Sequence, residues 1–104
     1  MSDETDFQFL DEATEIALDE LLAASGLERD ELLELVELGI FSPRGSTELL
    51  WRFSSRTIWL GRRAVRLRRD FGLNVPGMAL ALTYLERIEE LESRVRELEC
   101  RLLR

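Results

Sequence analysis

The end of the chain sets the strongest constraint on its fold. Ala81, Tyr84, Ile88, Leu91, Val95, Leu98 and Leu102 step by three and four residues, the spacing of a seam along one side of an α-helix. The pattern predicts a helix from Met78 to about Leu103. With Ile88 and Val95 at heptad position a and Leu91 and Leu98 at d, Arg87, Arg94 and Arg101 fall at g, and Leu85, Glu92 and Glu99 at e. A helix this long must bury its seam, and a chain of 104 residues has little surface of its own to offer. A homodimer through Tyr84, Ile88, Leu91, Val95, Leu98 and Leu102 is therefore expected ahead of packing on the chain's own domain. Parallel pairing would match Arg87 and Arg94 at g with Glu92 and Glu99 at e, whereas antiparallel pairing would set like charges together.

Upstream of this helix the pattern is mostly α-helical. Residues 1–15 form an acidic, flexible lead with an apolar cluster at Phe7, Phe9 and Leu10, and with room for one short extended segment. Leu18, Leu21, Leu22 and Ser25 mark a first helix that Gly26 ends in the left-handed conformation. A second runs from about Arg29 to Leu38, carries Leu32, Leu33, Leu35 and Val36 as its stripe, and stops at Gly39. The short turn between them makes a helix-turn-helix. The turn-forming run from Phe41 to Thr47, then Leu49 to Phe53 with its strand formers, has the size of a small β-hairpin wing. Ser54 or Ser55 caps a third helix, about Arg56 to Phe71, with Leu60, Ala64, Leu67 and Phe71 as its buried stripe and Arg62, Arg63, Arg66 and Arg69 largely on the other side. Residues 72–77 break the chain, with Pro76 suited to the first turn of the last helix. The expected division is the lead (1–15), a winged helix-turn-helix domain (16–77) and a dimerisation helix (78–104).

Composition narrows the chemistry. There is no histidine, which removes the commonest general base, most transition-metal sites and any Ser-His or Cys-His pair. The single cysteine, Cys100, excludes an internal disulfide, fits a reducing compartment and falls at heptad position f, where it reads as an incidental surface thiol. The longest uncharged stretch, between Asp70 and Glu86, contains Gly72, Asn74, Pro76 and Gly77, so no membrane span is expected. The N-terminus lacks the basic and apolar regions of a secretion signal. The chain is expected to be a cytoplasmic, non-enzymatic protein without cofactor or metal.

Charge is unevenly placed. Residues 1–48 carry 14 acids against Arg29 and Arg44, whereas residues 49–104 carry 12 arginines and seven acids. Arg52 to Arg69 holds seven arginines and no acid. Two electrostatic faces of opposite sign are expected, each suited to a different partner.

Helix-turn-helix, wing, third helix and long terminal helix, in that order, resemble the plan of MerR-like proteins. Three segments are more specific: Glu34-Leu-Val-Glu-Leu-Gly-Ile40, Trp51-Arg-Phe53, and Arg66-Leu-Arg-Arg-Asp-Phe-Gly-Leu-Asn-Val-Pro-Gly-Met-Ala-Leu80. They resemble the bacterial chaperone-modulator family CbpM, over roughly Ile16 to Leu98. That resemblance implies a protein that binds the J domain of a DnaJ-like co-chaperone of the CbpA type and restrains its stimulation of Hsp70 (DnaK).

The residues support such a role at one point. In a DNA-binding helix-turn-helix the second helix enters the major groove and needs donors for bases and phosphates. Here it offers Glu28, Asp30, Glu31, Glu34 and Glu37, with Arg29 its one cation. Duplex DNA carries one negative charge per ~1.7 Å and would repel this surface. An acidic helix suits a basic helix on another protein, and J domains carry such a helix; the plainer alternative is a solvated charged face. The arginine-rich third helix is open to three assignments. It contacts phosphates in a MerR-like DNA-binding regulator, forms salt bridges to an acidic partner, or, the reading placed first, compensates the acidic half of the chain or of its dimer mate. Arg44, Trp51, Arg52 and Phe53 of the wing are a weaker contact candidate, with at least one ring expected to close the core. Trp59, next to buried Leu60, is weaker still.

Overall fold

The computed structural model describes residues 14–103. In chain order these form β1 (Glu15–Ala17), α1 (Leu18–Ser25), α2 (Arg29–Glu37), a 3-10 turn (Glu48–Leu50), β2 (Arg52–Ser54), α3 (Arg56–Phe71) and α4 (Val75–Leu102). The architecture is mostly helical, with one two-stranded sheet.

The helix-turn-helix forms where the periodicity places it. Gly26 ends α1 at φ 87°, a backbone conformation that costs a side chain-bearing residue free energy, and its N–H donates to the Leu22 carbonyl at 3.1 Å. Ser25 stabilises the same turn: its hydroxyl donates to the Leu21 carbonyl at 2.7 Å and accepts from the Leu27 N–H at 3.2 Å. The α1 and α2 stripes then meet, and Leu18, Leu21, Leu27, Leu32, Leu35 and Phe41 form one cluster with Phe53, Ala64, Met78, Ala79 and Leu82.

The wing differs from the expected hairpin. β2 pairs antiparallel with β1, in the register Glu15–Ser54, Ile16–Phe53 and Ala17–Arg52, and touches residues 41–47 only at Arg44. The intervening loop is closed by one bridge, in which Arg44 and Arg52 exchange N–H···O bonds of 2.9 Å. Leu49 and Leu50, expected in the strand, lie in the 3-10 turn and are exposed. Pairing with β1 buries Phe53 under the sheet, where it gains far more from leaving water than it would on a rim.

α3 has the expected bounds, but its buried side is rotated. Gly61 and Ala64 are buried, Leu60 and Leu67 are half-buried, and Phe71 is 71% exposed at the helix end. The small residues let α3 approach α1 closely: a Cβ on Gly61 would stand 2.7 Å from the Ser25 Cβ. α4 begins three residues before Met78, at Val75, with Pro76 in its first turn and the Asn74 Oδ1 accepting from the Gly77 N–H at 2.9 Å. Met78, Ala79 and Leu82 anchor it in the core. Every residue from Glu86 to Leu103 is exposed, so the rest of α4 stands out as an arm and the described residues extend 51 Å along their longest axis.

Candidate partner-binding surface

α2 separates its carboxylates into two roles. The Glu31 side chain, 13% exposed, turns inward: its Oε1 accepts from the Glu28 N–H at 2.9 Å and from the Arg68 guanidinium of α3. The first bond caps the helix N-terminus; the second ties α2 to α3. The hydrogen bond to Glu31 is the largest influence on Arg68 and, with the nearby Glu28 charge, raises the guanidinium above its already high ordinary value. Glu31 therefore belongs to the scaffold and is unavailable as a partner contact.

Asp30, Glu34 and Glu37 are spaced i, i+4, i+7 and form a ridge along the other side of α2. Asp30 and Glu37 are exposed and Glu34 is half-buried. Among the described residues none of the three, nor Glu28, forms an ion pair, while the one cation of α2, Arg29, reaches across to Glu48 at 2.6 Å.

The ridge runs into an apolar hollow. Leu38 follows Glu34 by four residues and, with Ile40, Pro76, Ala79, Leu80, Thr83 and Tyr84, lines an open depression of about 340 Å³ between the end of α2 and the base of α4. Leu38 and Leu80, 48% and 60% exposed, were not singled out in the sequence. The available signal was the i, i+4 step from Glu34 to Leu38, which sets an apolar group on the acidic face. Tyr84, assigned to the helix seam, also faces this hollow.

The wing candidates divide. Phe53 is 1% exposed and meets Trp51 edge-on at 6.0 Å, so it is core and makes no surface contact. Trp51 is half-buried; Arg44 and Arg52 are exposed, and Arg44 lies 3.4 Å from Glu15.

The arginines of α3 are partly compensated: three of the four picked out by sequence, Arg62, Arg63 and Arg69, have partners, Arg69 the adjacent Asp70 at 3.7 Å, and Arg68 joins them. Arg68 pairs with Glu31 in the acidic half. Arg63 pairs with Glu89 on α4 and lies 4.4 Å from the Trp59 ring centroid. Arg62 donates to the Ala24 carbonyl at 3.0 Å, a favourable place for a cation at the end of α1. The inward position of Arg68 was legible in its spacing of four and seven from buried Ala64 and Gly61.

On α4, Tyr84, Ile88, Leu91, Val95, Leu98 and Leu102 are all exposed in the single chain. They form one continuous apolar seam, flanked by the intrahelical pairs Arg87–Glu90 and Arg101–Glu97 at 3.0 and 2.9 Å. Among the described residues no cluster is arranged to hold a metal ion, and no helix is long and apolar enough to cross a membrane.

The sequence is similar to those of known proteins. The profile of the MerR HTH family of regulatory proteins matches residues 16–100. A chaperone modulatory protein CbpM of Coxiella burnetii (strain Dugway 5J108-111) is 36% identical over 90 residues, which cover 86% of this chain and 85% of the relative. A CbpM of Escherichia coli O139:H28 (strain E24377A / ETEC) is 40% identical over 80 residues, 77% of this chain and 79% of the relative. The chain is thus a member of the CbpM chaperone modulatory protein family, built on a MerR-type helix-turn-helix.

Proposed function

We propose that this chain is a non-enzymatic chaperone modulator that binds the J domain of a DnaJ-like co-chaperone and blocks its stimulation of Hsp70. The observation that carries the proposal is the ridge of Asp30, Glu34 and Glu37, without ion pairs among the described residues, on the helix a DNA reader would lay in the groove. Carboxylates there repel phosphate and attract a basic helix. The adjoining hollow at Leu38 and Leu80 supplies what charge alone lacks, an apolar pocket where a partner side chain is desolvated. The mechanism is competition: a J-domain helix held on α2 is withheld from Hsp70.

A second copy of the chain completes the proposed assembly. The α4 seam from Tyr84 to Leu102 is too continuous to remain in water, and pairing with its counterpart removes it. Calorimetric titration with a purified J domain at low salt tests the central reading. Heat saturating at tens of micromolar or below supports it, and no heat over that range contradicts it.

A further inference from the structure

Phe7, Phe9 and Leu10 of the acidic lead lie outside the described residues; among those described, Leu49 at the tip of the wing is the most exposed large apolar side chain, at 92%. Its backbone is held firmly. The Leu50 N–H donates to the Thr47 carbonyl at 2.9 Å, Arg44 and Arg52 close the loop, and the Glu48 carboxylate accepts from the Arg29 guanidinium at 2.6 Å. Gly45, at φ 118°, lets the turn close so tightly that a Cβ there would stand 2.5 Å from the Leu50 carbonyl oxygen. A single exposed leucine is ordinary on a protein surface. This one is fixed in place beside a hollow with an acidic rim.

Leu49, Leu18 and Ala17 form the apolar part of that hollow, and Asp19, Arg29 and Glu48 complete its lining; at about 140 Å³ it has room for one side chain. Glu48 is engaged by Arg29, whereas Asp19 is exposed and forms no ion pair among the described residues. An apolar wall beside an unpaired carboxylate suits lysine or arginine, whose methylene stem packs while its charged head stays at the rim. The hollow is continuous with the α2 ridge through Arg29. Arg29 and Leu38 are nine residues apart, which sets them on opposite sides of α2 and about 14 Å apart along its axis. The ridge of Asp30, Glu34 and Glu37 runs between them. A basic helix crossing α2 obliquely would meet the Leu49 hollow at one end, the carboxylates in the middle and the Leu38 hollow at the other.

We propose that the wing-tip hollow holds one lysine or arginine of the basic helix bound on the α2 ridge, with its stem against Leu49 and Leu18 and its cation on Asp19. Resting on the J-domain reading of function, this contact adds a second anchor and brings the wing into the interface through Leu49.

Calorimetric titration of a purified J domain into the full-length chain, at about 20 mM salt and again at about 0.3 M, compares the parent with Leu49→Ser and Asp19→Asn. Both side chains are exposed, and equal urea midpoints check that both variants fold as the parent does. Leu49→Ser is expected to weaken binding at least about fivefold at both salts, and Asp19→Asn about threefold at low salt with little loss at high salt. Replacing the lysines and arginines of the J domain by Met, one at a time, should identify one whose loss matters much less against Asp19→Asn than against the parent. Finding none would overturn the placement of a cation on Asp19. Parent-like affinity in both variants, while the parent itself binds, would overturn this contact and leave the reading of function standing. No binding by the parent would overturn both. Altered sedimentation of Leu49→Ser in the absence of a J domain would assign the tip to a second copy and likewise overturn the proposal.

Discussion

The Arg68 guanidinium on α3 donates to the Glu31 carboxylate on α2, and that carboxylate also accepts from the Glu28 N–H at 2.9 Å. One side chain thus caps a helix and fixes its angle to the next, leaving Asp30, Glu34 and Glu37 to point away. Glu31→Ala is expected to cost about 1–2 kcal/mol in urea unfolding, a range already reduced for the solvent exposure of Arg68. Asp30→Ala and Glu37→Ala should stay within about 0.5 kcal/mol of the parent. Because the Arg68 pKa is raised, its contribution is present below the ordinary guanidinium value and lost only above it. Arg68→Met should therefore destabilise the chain equally at neutral and mildly alkaline pH.

Phe53→Ala should cost about 3–5 kcal/mol, since it empties a site 1% exposed between the sheet and the helices. Trp51→Ala, at a half-buried neighbour, should cost less. The two midpoints in chemical denaturation decide whether Phe53 is core or contact surface.

Gly61→Ala tests the close approach of α1 and α3. Its Cβ would meet the Ser25 Cβ at 2.7 Å and the Leu27 Cδ1 at 3.3 Å, so backbone must move. A loss of about 1–3 kcal/mol in thermal or urea unfolding is expected.

Much of this fold was legible because its elements are local. The helical spacing of Leu18, Leu21 and Leu22, and of Leu32, Leu35 and Val36, with Gly26 and Gly39 as stops, places α1 and α2 within a residue. The partner of β2 was not legible: a three-residue strand has no period to read, and its mate lies far back in the chain at Glu15–Ala17. Phe71 completes a four-three-four spacing with Leu60, Ala64 and Leu67, yet α3 outruns its neighbours and leaves the ring in water. The acidic ridge was visible as composition, but periodicity alone placed Glu31 with Asp30 and Glu34. Only the ion pair between the two helices reveals that Arg68 draws it inward.

The α4 seam predicts self-association. Leu91→Asp with Val95→Asp should give a monomer by sedimentation at micromolar concentration where the parent is a dimer, because each change sets a carboxylate in a paired apolar seam. A parent that sediments as a monomer at every concentration would contradict the proposed dimer.

The most direct test of the central claim is the salt dependence of J-domain binding by Glu34→Arg with Glu37→Arg, measured beside the parent. Both changes lie on the outward ridge and leave the Glu31–Arg68 pair in place. At least about a tenfold loss of affinity and a flatter dependence on salt are expected, with an unchanged unfolding midpoint. A variant that folds as the parent does, and binds with the same affinity and the same salt dependence, would contradict that claim.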